Sequence, residues 1–178
     1  MSDKLTYERV SRFANVKVPQ DIEDEMLNVY ATYSIEHDMN IDDLEPYFKD
    51  LELPKDLYKL IRKEDLVIEG TNIIDFQLLI RSTYHILIYI DNEDVIKNLW
   101  TTMVKNCGRD VQFPNIKLTD HVLSVKDLQK ISNVIGITDQ SGLIQMMSCA
   151  TEGNRLFITY LDFASVLGRL GLLRYRKA

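Results

Sequence analysis

Few side chains in this 178-residue sequence have the types and spacing that catalysis needs. Cys107 and His121 could act as nucleophile and base, but nothing nearby is placed to orient the histidine, so a structural thiol is the better interpretation. His37 and His85 each lack a second ligand at metal spacing. His85 lies in an apolar stretch, where we expect a buried or half-buried ring with its hydrogen bond satisfied. The sequence therefore predicts a protein that is not an enzyme and has no metal or cofactor site.

Two other patterns could suggest chemistry. The Gly168-x-x-Gly171 pair lacks the lysine of a phosphate-binding loop and is better explained by close packing or a helix C-cap. The carboxylates of Asp42, Asp43 and Glu45 are expected to solvate a helix start and complement its dipole. Neither pattern predicts a catalytic site.

Charge is distributed unevenly along the chain, whose net charge is −6. Residues 1–90 hold 18 acidic and 10 basic side chains, whereas residues 91–178 hold 9 acidic and 11 basic ones. The acidic half could hold a basic partner, although such a surface more often keeps a protein soluble. Because no concentrated basic face is present, direct nucleic-acid binding is not expected.

The remaining composition favours an intracellular protein that does not enter a membrane. The longest apolar run, around residues 80–90, is broken by Arg81 and His85. The first twenty residues are too polar for a signal peptide, and two cysteines give no disulfide framework. A reducing compartment is therefore expected.

One half-motif recurs four times along the chain. An apolar anchor is followed by a residue that can cap a helix, and the four pairs are Ile41-Asp42, Ile74-Asp75, Leu123-Ser124 and Ile158-Thr159. The anchors are separated by 33, 49 and 35 residues. Each follows an amphipathic helical stretch: residues 21–34, a helix opened by Pro54, residues 92–104, and a helix from near Asp139 through Met147. Helix, loop, anchor and helix, four times over, is the organisation of paired EF-hands.

This organisation predicts an all-α protein of two lobes, with short β-pairings between loops. An N-terminal arm would occupy residues 1–20, an acidic lobe residues 21–90, and a second lobe residues 91–178, with an enlarged third loop at 106–119.

The layout resembles the centrin and calmodulin family over residues 21–173. The stretches 67–76 and 156–163 are also similar to a fungal family of nucleotide-excision-repair proteins with degenerate EF-hand-like loops. The resemblance implies an adaptor that binds a helix of an XPC-type damage-recognition factor as a monomer within a hetero-complex. The expected location is the nucleus, with the cytoplasm as an alternative.

Calcium binding is not expected, because an EF-hand loop needs oxygen ligands at positions 1, 3, 5 and 12 and glycine at 6. With Ile41 at position 8, the first loop offers Ser34, Glu36, Asp38 and Glu45, but Met39 stands at the glycine position. The second loop has Leu78 at position 12, the third has Ile116 and Leu118 at positions 1 and 3, and the fourth has Arg155 at position 5. A calcium sensor that uses the first loop alone remains an alternative.

The family resemblance also implies a partner-binding groove in the second lobe. Its predicted lining consists of Trp100, Met103, Leu128, Met146, Phe163, Val166 and Leu167. These residues could equally form the core, since a small lobe shares residues between core and groove floor. The expected function is a non-catalytic, calcium-independent adaptor for a partner helix, with a light-chain-like clasp in another assembly as the alternative.

Overall fold

Most of the chain is helical in the structure, a computed structural model that describes residues 7–137 and 142–176. The N-terminal half, residues 7–91, contains α1 (Tyr7–Ala14), α2 (Gln20–Tyr33), α3 (Leu44–Asp50), α4 (Lys55–Tyr58) and α5 (Phe76–Asp91). The C-terminal half, residues 92–176, contains α6 (Glu93–Asn106), α7 (Arg109–Gln112), α8 (Val125–Val134), α9 (Leu143–Thr151) and α10 (Tyr160–Arg169). Its two short strands are β1 (Leu123–Ser124) and β2 (Phe157–Ile158).

Helix bounds agree with the predictions for α2 and α6 and differ elsewhere. The helix opened by Pro54 is a single turn, and a 3₁₀ turn at Lys63–Leu66 follows it. The predicted start of the fourth helix near Asp139 lies outside the described residues, and α9 begins at Leu143.

Three of the predicted helix caps are present. The side chain of Asp75 accepts a hydrogen bond from the Leu78 amide at the start of α5. Ser124 and Thr159 open α8 and α10, each in a capping box with an aspartate three residues later. These reciprocal bonds satisfy amides that a helix start would otherwise leave without partners.

The loops of each half pair with each other as short antiparallel segments. In the C-terminal half Leu123 lies opposite Ile158, which are the predicted anchors. In the N-terminal half Asn40 bridges Ile73, and the Ile74 amide donates to the Met39 carbonyl. The first anchor is therefore Met39 rather than Ile41, and the prediction was wrong by two residues.

The correction makes the two halves alike. Asn40, not Asp42, forms the first capping box, with Asp43 as its partner. Met39 and Ile74 are then 35 residues apart, the same separation as Leu123 and Ile158. Both anchors of the C-terminal pair and both of the N-terminal pair are buried.

The arm joins the two halves. Phe13 of α1 is buried and stacks on His85 of α5 at 4.8 Å, and it packs against α10 at Gly168. A methyl group at Gly168 would overlap the Phe13 ring, so the glycine is there for close packing, as predicted. Gly171 follows α10 with a φ of +74°, which glycine adopts without strain.

The tail after α10 folds back onto α5. The Asn92 side chain donates to the Arg174 carbonyl and accepts from the Arg174 amide, at 2.7 and 2.9 Å. Tyr84 donates to the Arg176 carbonyl at 2.7 Å. The arm therefore connects the two halves through the buried Phe13 ring, and the tail connects them through hydrogen bonds made by its backbone.

Candidate functional site

The C-terminal half is built from four helices packed in a ring. Helix α6 packs on α8 and α10, and α9 packs on the same two helices. Trp100 of α6 lies inside this ring, 6.0 Å from the Tyr160 ring and 5.4 Å from the Phe163 ring. Its indole Nε1–H donates to the Leu118 carbonyl at 2.8 Å, so its polar group is satisfied.

The seven predicted groove residues fall into two groups. Trp100 is 0% exposed and Leu167 is also buried, so in this structure these two side chains lie in the core beneath the surface. Met146 is 65% exposed. The other four are partly exposed, and they are Met103, Leu128, Phe163 and Val166. Together these five place apolar atoms at the surface from each of the four helices.

The predicted lining missed several exposed apolar side chains near the same positions. Leu99 lies one turn before Met103 on α6, and Leu170 lies one turn after Val166 at the end of α10. The sequence could have identified both residues, because each lies four residues, about one helical turn, from a residue of the predicted lining. Leu99, Met103, Leu128, Met146, Phe163, Val166 and Leu170 are called the apolar face below.

The clefts described at the surface of the protein are lined by other residues. The side chains of the apolar face are half-buried or exposed, and one of them, Phe163, lies 5.4 Å from the buried Trp100 ring.

The enlarged third loop does not lie on the apolar face. It carries α7 and a 3₁₀ turn at Leu118–Asp120, and it reaches the N-terminal half. Lys117 pairs with Asp56 at 3.1 Å, and Asp120 pairs with Lys59 at 2.8 Å. Since the loop also covers Trp100, its insertion closes the core and ties it to α4.

Two arginines occupy the starts of α8 and α10. The Asp127 carboxylate, which accepts from the Ser124 amide, also lies 3.1 Å from the Arg109 guanidinium. The Asp162 carboxylate, which accepts from the Thr159 amide, lies 2.7 Å from the Arg155 guanidinium. Burial acts to raise the pKa of Asp127, but the hydrogen bonds from Ser124 and the Arg109 charge outweigh it and lower that pKa.

These contacts do not fit calcium. With Ile158 at position 8, Arg155 stands at position 5 and Asp162 at position 12, two positions that ligate one ion in an EF-hand loop. Here the two side chains bind each other. A guanidinium brings positive charge and no acceptor, so it repels the ion that the aspartate would need to bind.

The first loop does not fit calcium either. With Met39 at position 8, Thr32 and Ser34 take positions 1 and 3. Their hydroxyls donate to the Val29 and Tyr30 carbonyls of α2. Asp43, at position 12, accepts the Asn40 amide. Across the described residues, no three His, Cys, Asp or Glu side chains are grouped closely enough to hold a metal ion.

Cys107 and His85 have structural hydrogen-bond partners. Cys107 is buried and donates to the Val104 carbonyl, and burial raises the pKa of its thiol, which disfavours the nucleophilic thiolate. His85 hydrogen-bonds the Phe13 carbonyl at 3.0 Å, as expected for a satisfied histidine. Burial lowers the pKa of His85 and so favours the neutral form of the ring that supports the arm.

A polar cleft between the halves has a volume of about 270 Å³. Arg62, Arg155 and Arg169 contribute to its wall, and each is already paired with a carboxylate, of Asp65, Asp162 and Glu152 respectively. The cleft is therefore close to electrically neutral and gives no net attraction for an anion.

The geometry is that of a helical protein with two loop-paired halves and an apolar face on the second half. The chain is 56% identical over 173 residues to the DNA repair protein RAD33 of Saccharomyces cerevisiae, an alignment covering 97% of this chain and 98% of that protein. The chain therefore belongs to the RAD33 family of DNA repair proteins.

No protein-family model matches the chain. No solved structure matches it either. None of the helices in the described ranges is long and apolar enough to cross a membrane.

Proposed function

We propose that this protein acts in DNA repair as a non-catalytic adaptor whose C-terminal half binds an amphipathic helix of a partner protein. The partner would be the XPC-type damage-recognition factor of nucleotide excision repair, in the nucleus. Membership in the RAD33 family supports the repair role. The helix-binding role rests on the apolar face together with the resemblance to centrins.

The single observation that carries the binding role is the distribution of exposed apolar side chains. Of the 17 large apolar side chains exposed among the described residues, 13 lie after residue 91. Single exposed apolar residues are ordinary, whereas a contiguous exposed apolar patch marks an interaction surface. Three of the 13, Leu99, Met146 and Leu170, belong to the apolar face. This distribution favours the C-terminal half as the site that receives the helix.

The pairing of loops supports the EF-hand-like interpretation of both halves. The anchors Met39 and Ile74, and Leu123 and Ile158, give each half the same 35-residue period. Capped helices leave three of these four loops directly. In lobes of this kind an apolar helix face docks between the four helices, with anchors at a spacing of three to four residues.

Binding would not depend on calcium. Arginines hold the position 12 aspartates of the third and fourth loops, and position 12 of the second loop is Leu78. In the first loop, the hydroxyls of Thr32 and Ser34 donate hydrogen bonds to backbone carbonyls of α2. No observation on the first loop therefore favours the sensor alternative.

Calorimetric titration with a peptide that spans the C-terminal helix of the XPC-type factor tests the proposal. We expect one-to-one binding with the same affinity in chelator and in millimolar calcium. A peptide whose apolar anchors are replaced by aspartate serves as the control and should give no binding heat. Absence of binding by the unchanged peptide in both buffers would overturn the proposal.

A further inference from the structure

The starts of α8 and α10 carry the same four-part side-chain arrangement. Each has a hydroxyl cap, an aspartate three residues later, an arginine bound to that aspartate, and a phenylalanine ring beneath the arginine. At α8 the arginine is Arg109, whose Cζ lies 5.1 Å from the centre of the Phe113 ring. At α10 it is Arg155, whose Cζ lies 5.5 Å from the centre of the Phe157 ring.

The two arginines reach this arrangement from different parts of the chain. Arg109 opens α7 in the enlarged loop, 18 residues before Asp127, whereas Arg155 lies 7 residues before Asp162. In the N-terminal half, the capping carboxylate of Asp43 has no arginine or lysine within ion-pair distance among the described residues.

Both ion pairs are largely removed from water. The side chains of Arg109 and Asp127 are 20% and 7% exposed, and those of Arg155 and Asp162 are 20% and 13% exposed. An aspartate at such a site would lose much of its hydration without a cation, so its charge needs a fixed partner. The guanidinium supplies that partner, and the phenylalanine face below it adds cation–π attraction.

We infer that Arg109 and Arg155 are permanent internal cations that replace a metal ion in the two C-terminal loops and hold the apolar face in its partner-binding shape. The inference rests on the proposed function, because α8 and α10 carry Leu128, Phe163 and Val166 of that face. The guanidinium fixes the position of the carboxylate that accepts the helix-start amide, a second contact that the Asp43 capping box of the N-terminal half does without. Removing the guanidinium therefore loosens the helix start and displaces the apolar side chains one turn further on.

Substitution of each arginine by glutamine tests this role. Arg109→Gln and Arg155→Gln should each weaken peptide binding about tenfold, within the usual range for coupling between a distant group and a binding site. The matched control is Arg169→Gln, since Arg169 lies on α10, is 22% exposed at its side chain, and pairs with Glu152 at 2.8 Å. This control should bind the peptide as the unchanged protein does.

Chemical rescue separates an internal cation from general loss of packing. For Arg155→Ala, millimolar methylguanidinium should restore the affinity, because it can refill the site beside Asp162. Methylammonium at the same concentration and ionic strength should restore much less of the affinity, since it lacks the planar guanidinium group that presents two N–H donors to a carboxylate. Equal recovery with both cations, or recovery with neither in a folded variant, would overturn the inference.

A second measurement needs no partner. Hydrogen exchange of the Ser124 and Thr159 amides, which donate to Asp127 and Asp162, should accelerate in the corresponding glutamine variant and stay unchanged in Arg169→Gln. If the unchanged protein binds no peptide, the proposed function fails while exchange still tests the internal cation. Variants with unaltered affinity and unaltered exchange would overturn the inference and leave the proposed function standing.

Discussion

Arg155 and Asp162 meet at 2.7 Å, at two loop positions that in a calcium-binding EF-hand would contact the same ion. Asp127, at position 12 of the third loop, also pairs with an arginine at 3.1 Å, but this one, Arg109, comes from α7 ahead of the loop's ligand positions. At the starts of both α8 and α10, the positive charge next to the aspartate therefore comes from an arginine side chain of the protein itself. In both places the arginine contacts the aspartate that also accepts the helix-start amide.

Added calcium should therefore leave the melting temperature unchanged. A ligand stabilises a folded protein only when it binds the folded state, and the carboxylates that calcium needs are already paired. Thermal melting in chelator and in millimolar calcium, followed by Trp100 fluorescence, measures this. A rise of several degrees in calcium would contradict the assignment of the arginines.

Met146→Asp should abolish partner binding while the protein stays folded. Because Met146 is 65% exposed, the new carboxylate costs the free protein little, but a bound helix would bury it. We expect at least a tenfold loss of peptide affinity, about 1.4 kcal/mol.

Ile144→Asp is the matched control for that substitution. Ile144 is on the same helix and is 62% exposed, but two residues' separation turns it to the opposite side of α9. It should bind the peptide normally and melt as the unchanged protein does. Equal losses in both variants, or none in Met146→Asp, would remove α9 from the binding surface.

Gly168→Ala should release the arm. The added methyl group would overlap the buried Phe13 ring, and such overpacking costs about 1–3 kcal/mol. Gly142→Ala is the control, because the nearest atom to its added methyl group is a flexible Gln145 oxygen at 3.9 Å. Chemical denaturation measures both variants, and limited proteolysis should cut the arm faster in Gly168→Ala. Equal stability of the two variants would contradict the packing of α1 on α10.

His85 should make stability fall as the pH drops from 7 towards 5. Burial keeps its folded-state pKa below the ordinary 6.5, so the unfolded chain binds a proton first. The stability contribution is complete above 6.5 and decreases as the pH falls from there towards the folded-state pKa. His85→Phe retains the stack on Phe13 and should flatten this part of the pH profile, as measured by denaturant unfolding at several pH values. An unchanged slope would show that another group causes it.

The sequence predicted the C-terminal loops better than the first loop, and the reason is physical. Ser124 and Thr159 were identified as caps because one apolar anchor precedes each. At the first loop both Met39 and Ile41 are apolar, and each precedes a good cap. A shift of two residues leaves every side chain on the same face of an extended segment, so the pattern alone does not separate the two registers.

Contacts between residues far apart in the sequence could not be predicted, for a different reason. Phe13 and Gly168 are the clearest pair: one is a large aromatic residue of the short helix α1 and the other a glycine near the end of α10, and nothing local links them. The burial of Trp100 also depends on Leu118 from the enlarged loop. Helical spacing is a local property of the sequence, so it identifies which side chains share one face of a helix. Which of those side chains are buried depends on contacts with distant residues, and the local pattern does not show it.

The most direct test of the central claim is to map the bound helix by amide chemical shifts. Isotope-labelled protein is titrated in chelator with the peptide of the XPC-type factor. We predict that the largest changes fall in α6, α8, α9 and α10, with α2 to α4 little affected. Changes confined to the N-terminal half, or a spectrum that does not change at all, would contradict an adaptor that binds through its C-terminal apolar face.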